Sequence, residues 1–205
     1  TGDTFDEAFD YATSLAKKDG FTFIHPYDDQ DVIVGQGTVG KELFDEIGSS
    51  IDAVFVPVGG GGLLAGLGTY LKSVSPNTKI IGVEPEDAAC LKLALENNKR
   101  LALKEVGLFA DGVAVKQIGK KTFSLIKDWI DDVVTVSVDE MCASVQDTFQ
   151  ETRIMSEPAG ALALAGLKKY VQSRGIKNKK LVAINSGANL NFDRLGHIVE
   201  RVCLL

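Results

Sequence analysis

The sequence predicts an α/β fold with three layers, in which helices cover both faces of a mostly parallel, twisted sheet. Two observations support this fold class. Short apolar segments typical of buried strands alternate with segments whose apolar residues recur at helical spacing. Four successive glycines also join the most apolar of these strands directly to a helix. Ligands of such sheets bind beyond the carboxyl ends of the strands, which is where the glycines lie.

Five strands are predicted, each a short apolar or β-branched segment ended by glycine, proline or polar residues. They cover residues 21–25, 52–58, 79–84, 133–138 and 181–185. Helices are predicted at residues 4–18, 63–74, 88–95 and 158–170, after residue 38, around residues 123–130, after Ser137 and at the carboxyl end of the chain. Ser137 and Glu140 have the spacing of a capping box, and Pro158 occupies a first turn, where proline is tolerated.

Composition narrows the classes of partner. The chain of 205 residues is 45% hydrophobic and has a formal net charge of −6. This acidic balance disfavours nucleic acids and anionic membranes as partners. Three widely spaced cysteines form neither a disulfide framework nor a zinc motif, so a reducing compartment is expected. The sequence has neither a transmembrane run nor a signal-peptide pattern at its start.

The glycine run, made of Gly59, Gly60, Gly61 and Gly62, is predicted to bind a phosphate. It places the N-terminus of a helix at the end of a buried strand, where unpaired N–H groups and the helix dipole favour an anion. Its spacing matches neither a P-loop nor a dinucleotide fingerprint, so the ligand is expected to be another phosphate ester. The alternative is that the glycines only permit a tight turn or close packing, although four exceed what a turn requires.

Four motifs follow one another in a fixed order: the glycine run, Phe-Ala-Asp-Gly-Val-Ala-Val at 109–115, Glu-Pro-Ala-Gly-Ala at 157–161 and Ser-Gly-Ala-Asn at 186–189. Together with His-Pro-Tyr-Asp-Asp at 25–29, they resemble the threonine deaminase (threonine ammonia-lyase) family of pyridoxal-phosphate enzymes. This family shares its fold with serine dehydratases and serine racemase. The resemblance extends over essentially the whole chain and implies the tryptophan synthase β-like fold, known as fold type II.

The resemblance implies a role for each matching residue. Gly59, Gly60, Gly61 and Gly62, with Leu63, match the loop that binds the cofactor phosphate. Gly112 matches the backbone beside the cofactor ring, Ser186 matches the hydroxyl that hydrogen-bonds the pyridine nitrogen, and Glu157 matches a carboxylate at the edge of the site. A neutral hydroxyl does not hold the ring nitrogen protonated, which suits rapid loss of a β-hydroxyl group. A turn residue that bonds its own backbone remains the alternative for Ser186.

Two departures from the family pattern are visible. The segment that holds the Schiff-base lysine is absent, and no lysine of the chain lies in a comparable context, so no catalytic residue is assigned here. We therefore expect the chain to be part of a longer catalytic domain. Residues 1–31 are expected to be the end of the small cofactor-covering lobe and residues 32–205 the large cofactor-binding lobe. Cys90 stands where metal-binding relatives carry a second carboxylate after the glutamate matched by Glu84, so no metal site is expected.

The resemblance implies an enzyme that deaminates L-threonine to 2-oxobutanoate and ammonia, entering isoleucine biosynthesis, with pyridoxal 5'-phosphate as cofactor. Serine dehydratase or serine racemase chemistry is the alternative within enzymes. A non-catalytic phosphate-binding or partner module is the alternative from another class. The complete protein is expected to act on a small amino acid, to form a homo-oligomer, and to be cytoplasmic, or plastidic if its source is a plant.

Overall fold

The computed structural model describes residues 5–204. Its centre is a sheet of four parallel strands in the order β3-β2-β1-β4. The strands are β1 (Ala53–Pro57), β2 (Lys79–Pro85), β3 (Asp132–Val136) and β4 (Leu181–Ala183). The helices are α1 (Phe5–Asp19), α2 (Gln30–Ile47), α3 (Gly62–Val74), α4 (Cys90–Glu96), α5 (Lys120–Ile126), α6 (Val138–Thr152), α7 (Pro158–Arg174) and α8 (Arg194–Cys203).

Alternation along β1 divides the core into two layers. Val54 and Val56 pack with side chains of α2, α3, α4 and α5 on one face of the sheet. Phe55, which is fully buried, packs on the other face against α6 and α7. Successive side chains of a strand point to opposite faces, so a strand that is apolar throughout needs helices on both. The predicted α/β fold with two helical layers is confirmed.

The helices α2 and α3 cross closely at Gly66. A Cβ atom built on Gly66 would overlap the carbonyl oxygen of Ile33 and lie 2.7 Å from the backbone nitrogen of Gly37. The two backbones therefore approach each other without side chains between them, and this contact ties α2 to the helix that follows the glycine run. Helix α2 starts at Gln30, earlier than predicted, because the Asp29 carboxylate caps it by accepting from the N–H groups of Asp31 and Val32.

The predicted strand at residues 21–25 is wrong, because the structure has no regular element there. Its aromatic side chains contact one another instead, with the Phe23 ring centroid 5.3 Å from that of Phe9 and the His25 centroid 4.5 Å from that of Tyr27. A strand is stabilised by pairing with a neighbour, and periodicity does not reveal whether one is available. The predicted start of the first helix, at position 4, lies outside the described residues.

The capping box at Ser137 is confirmed: its side chain accepts from the N–H of Glu140, and Glu140 accepts from the N–H of Ser137. The apolar element predicted at residues 109–115 contains one 3-10 turn, Asp111–Val113. No helix within residues 5–204 is long and apolar enough to cross a membrane.

Candidate functional site

The glycine run forms a sharp connection between the central strand and α3. The N–H of Val58 still donates to the carbonyl of Val83 in the neighbouring strand, so the sheet continues to that residue. Gly61 then adopts a left-handed conformation with φ of 90° and precedes the first residue of α3. The first N–H groups of a helix have no partner within it, so this loop presents donors at the carboxyl edge of the sheet. The predicted strand–loop–helix arrangement is present.

Each of the four glycines is also closely packed against other residues. A Cβ atom on Gly60 would overlap the ring of Tyr27, and one on Gly62 would lie 3.0 Å from the Tyr27 Cβ. On Gly61 it would lie 2.7 Å from a methyl group of Ile118, and on Gly59 it would lie 3.0 Å from the Cα of Val113. Close packing therefore explains Gly60 and Gly61 without any ligand, and it leaves little room for a side chain at Gly59 and Gly62. The phosphate role stays a prediction that depends on the donors of the helix N-terminus.

The other predicted residues lie along one continuous set of contacts that begins at the glycine run. Val113, which touches Gly59, directly follows Gly112. A Cβ on Gly112 would lie 3.3 Å from Oε1 of Glu157 and 3.0 Å from the Cβ of Ala159. The N–H of Glu157 donates to the carbonyl of Gly187, the residue after Ser186, over 3.2 Å. Residues separated by up to 128 positions in the sequence, Gly59 and Gly187, are thus assembled at one edge of the sheet.

Glu157 is fixed by its surroundings. Its Oε2 accepts from the N–H of Asn189 over 3.0 Å, and a Cβ on Gly187 would overlap Oε1. A Cβ on Gly160 would overlap the carbonyl oxygen of the same Gly187. The start of α7 and the turn after β4 are therefore pressed together without intervening side chains, and the Glu157 carboxylate reaches both Gly112 and the turn.

Ser186 lies in the exposed turn that follows β4, three residues after Ala183. The single hydrogen bond recorded for its hydroxyl within residues 5–204 is a long one, 3.5 Å, donated to the carbonyl of Ala159. The lone pairs of this hydroxyl are directed away from that bond and remain available to a ligand. Its chemistry fits the predicted contact with a ring nitrogen, although the contact itself stays a prediction.

A buried acid lies beneath the glycine run. Glu84 is fully buried, and burial raises its pKa to about 7. The carboxylate also accepts hydrogen bonds from the N–H groups of Leu91 and Lys92, and these bonds lower the pKa. The adjacent thiol of Cys90 donates to the carbonyl of Gly59 over 3.4 Å, and burial together with the Glu84 charge raises the pKa of this thiol. Within the described residues, no group of three His, Cys, Asp or Glu side chains is placed to hold a metal ion.

The residues present fit the cofactor that the sequence suggests. A side-chain-free helix N-terminus suits a phosphate, and the neutral Ser186 hydroxyl suits a pyridine nitrogen. A groove of about 1000 Å³ lies elsewhere, between α2, α3 and α5, and shares none of its lining residues with the predicted contacts. Sequence reasoning missed Tyr27, Asp28 and Thr122 as neighbours of the glycine run. The first two were visible only as letters of the His-Pro-Tyr-Asp-Asp motif, and Thr122 carried no signal.

Comparison with known proteins gives a consistent result. The model of a family described as pyridoxal-phosphate dependent enzyme matches residues 1–187. A biosynthetic L-threonine dehydratase of Burkholderia multivorans is 49% identical over 200 residues, which are 98% of this chain and 39% of that protein. A chloroplastic biosynthetic threonine dehydratase of Solanum lycopersicum is 55% identical over 97% of this chain and 33% of its own length. The chain thus spans between a third and two fifths of these relatives.

Solved structures show the same similarity. The processed form of threonine deaminase isoform 2 from Solanum lycopersicum superposes with a TM-score of 0.96 at 46% identity, covering 100% of this chain and 56% of that one. A serine racemase from Dictyostelium discoideum superposes with a TM-score of 0.79 at 31% identity, covering 93% of this chain and 60% of that one. The predicted fold type II architecture is confirmed.

Proposed function

The chain belongs to the family of pyridoxal-phosphate dependent enzymes, and from that premise we propose that the protein containing it deaminates L-threonine to 2-oxobutanoate and ammonia. The reaction is the elimination of water from the amino acid, and its product enters isoleucine biosynthesis. The chain supplies most of the large cofactor-binding lobe, and the Schiff-base lysine comes from outside residues 1–205. The division of the chain into lobes at residue 31 remains part of this proposal.

The observation that carries the proposal is the assembly of four distant motifs at the carboxyl edge of one sheet. Gly59, Gly112, Glu157 and Gly187 are linked through Val113 and the start of α7 by successive close contacts. Packing of this kind accounts for the close contacts of the glycines, but it does not require a hydroxyl at exposed Ser186. That hydroxyl is accounted for by a ligand that has an aromatic nitrogen beside a phosphate.

Each residue then has a definite task. The first N–H groups of α3, from the glycine run and Leu63, hold the phosphate, and the helix dipole adds to the attraction. Ser186 orients the ring through its nitrogen, and Gly112 leaves space beside it. Bound pyridoxal phosphate supplies an electron sink for charge that develops at the substrate Cα. The Ser186 hydroxyl carries no negative charge. It therefore does not stabilise a protonated ring nitrogen, as a carboxylate partner would.

The test is the substrate profile of the full-length protein. We expect 2-oxobutanoate to form from L-threonine faster than pyruvate forms from L-serine, with no D-serine produced. Ser186→Ala should weaken the binding of pyridoxal phosphate, whereas Ser173→Ala, which removes a hydroxyl from the surface of α7, should not.

Other outcomes identify the alternatives. Preference for L-serine would indicate a serine dehydratase, and formation of D-serine would indicate racemase chemistry, for which the Dictyostelium discoideum structure is the observed precedent. Cofactor binding without turnover of any amino acid would indicate a non-catalytic phosphate-binding or partner module. We further propose a homo-oligomer, located in the cytoplasm, or in the plastid of a plant source.

A further inference from the structure

The carboxylate of Asp28 caps a helix from a distant part of the sequence. It accepts hydrogen bonds from three successive backbone N–H groups at the start of α5: Lys120 at 2.9 Å, Lys121 at 2.7 Å and Thr122 at 3.1 Å. Gly119, which precedes α5, has no side chain that could do so. A Cβ on Gly119 would crowd the Asp28 carboxylate. Position and orientation of the first turn of α5 are therefore set by a residue more than 90 positions away.

The same turn of α5 holds the glycine run. The fully buried Thr122 donates its hydroxyl to the carbonyl of Gly60 over 2.8 Å, and the N–H of Gly119 donates to that carbonyl over 3.2 Å. One backbone oxygen of the loop thus has two donors from the segment that Asp28 caps. Gly60 has no side chain to restrict its backbone dihedral angles. Without these hydrogen bonds, the peptide plane that follows it would be unusually free to rotate.

Fixing the Gly60 carbonyl also fixes an N–H donor. In a planar trans peptide the C=O of one residue and the N–H of the next point in opposite directions. When Thr122 and Gly119 hold the Gly60 oxygen towards α5, the N–H of Gly61 is directed away from α5. This N–H belongs to the set that the proposed function assigns to the phosphate.

The segment that carries Asp28 is itself anchored. Nδ1 of His25 accepts from the N–H of Asp28 over 3.0 Å and from that of Tyr27 over 3.3 Å. The Tyr27 ring lies directly on Gly60, and the backbone and Cβ of Tyr27 lie on Gly62. The glycine run is therefore held directly by Tyr27 and also by Thr122, whose helix is capped by Asp28. Tyr27 and Asp28 are adjacent in the sequence, so one short segment of the chain sets both contacts.

We propose that Asp28 is a positioning residue for the glycine run, acting through the cap of α5 and the bond from Thr122 to Gly60. The phosphate as ligand rests on the proposed function, but the geometry of the Gly61 N–H does not. Asp28 thus contributes to phosphate binding without contacting the phosphate.

The experiment uses the full-length protein without cofactor and compares two caps. Asp28→Ala removes the cap of α5, while Asp29→Ala removes the similar cap of α2, in which the Asp29 carboxylate accepts from Asp31 and Val32. The probes are hydrogen exchange at the Gly119 amide, which donates to the Gly60 carbonyl, and the dissociation constant of inorganic phosphate. We expect Asp28→Ala to speed exchange at Gly119 and to weaken phosphate binding about fivefold, and Asp29→Ala to leave both unchanged.

A second pair tests the relay itself and remains informative if Asp28→Ala does not fold. Thr122→Val keeps the shape but removes the donor, and should reproduce the effect of Asp28→Ala. Thr122→Ser restores the hydroxyl and should return phosphate affinity and Gly119 exchange close to the starting values. Equal changes from Asp28→Ala and Asp29→Ala, or no difference between Thr122→Val and Thr122→Ser, would overturn the proposal.

The two proposals fail in different ways. If the unmodified protein binds neither phosphate nor pyridoxal phosphate, the proposed function fails, while exchange at Gly119 still decides whether Asp28 positions the loop. If both ligands bind and exchange at Gly119 does not change in Asp28→Ala, the positioning role fails and the proposed function stands.

Discussion

The glycine run after β1 and the Ser186 turn after β4 lie at the same edge of the sheet, yet their surroundings differ. Gly60, Gly61 and Gly62 are buried under Tyr27 and Ile118, whereas Ser186 is exposed and makes one long hydrogen bond. Substitutions in the buried loop change packing and ligand binding together. In the exposed turn, a loss of ligand binding is separable from a loss of stability, so the turn is the better place to test function.

The largest expected effect concerns Glu84 and reports how well water is excluded from the region beneath the glycine run. Burial raises the pKa of Glu84 from 4.5 to about 7, so the folded state binds a proton more tightly than the unfolded state. The free energy of unfolding should therefore fall by about 3 kcal/mol as the pH rises from about 4.5 to 7. Urea unfolding of the protein across this range measures it.

Glu84→Gln should flatten this pH dependence, because the neutral amide does not titrate. Glu86→Gln, at an exposed carboxylate two residues further along, is the matched control and should keep the slope. A stability that rises between pH 5 and 7 in the unmodified protein, or an unchanged slope in Glu84→Gln, would show that the region is better hydrated than the structure indicates.

The next effect tests whether the glycine run is constrained by Tyr27. Gly60→Ala should lower the free energy of unfolding by about 1–3 kcal/mol, because the added methyl group overlaps the Tyr27 ring. Combining it with Tyr27→Ala should cost less than the sum of the two single changes, which a double-mutant cycle of urea unfolding would measure. Additive costs would mean that Tyr27 does not press on the loop.

A smaller effect is expected at the exposed turn, and it concerns ligand binding alone. Ser186→Ala should change the free energy of unfolding by less than about 0.5 kcal/mol. Loss of one hydrogen bond to the cofactor ring corresponds to about 1 kcal/mol, or about fivefold weaker binding of pyridoxal phosphate to the full-length protein. A loss of stability without a change in affinity would instead favour the interpretation of Ser186 as a turn residue.

The smallest effect is expected at a glycine with neither packing nor ligand constraints. Gly196 lies inside α8, and a Cβ there would have no atom within 4 Å. Gly196→Ala should therefore raise the free energy of unfolding by about 0.5–1 kcal/mol, because alanine loses less conformational entropy in a helix. A destabilisation measured by urea unfolding would show that α8 is packed more tightly than the structure indicates.

Local patterns predicted most of the large elements. The alternation of apolar strands with helical stripes predicted the four strands of the sheet, and the capping box at Ser137 predicted the start of α6. The segment at 21–25 was mispredicted because aromatic residues favour strands in general, while pairing depends on a neighbour that periodicity does not specify. The start of α2 was placed too late, since Gly35 and Gly37 suggested a loop although the cap at Asp29 lies earlier.

The sequence by itself determined the strand, loop and helix around the glycine run, because chain neighbours and the periodicity of apolar residues suffice to specify such local structure. It also predicted the site residues, through four ordered motifs. Only the tertiary structure decided that Tyr27 covers Gly60, that Asp28 caps α5, and that Thr122 holds the loop. These contacts join positions up to 94 residues apart, and the direction in which a distant helix presents its first turn is fixed by packing of the whole sheet.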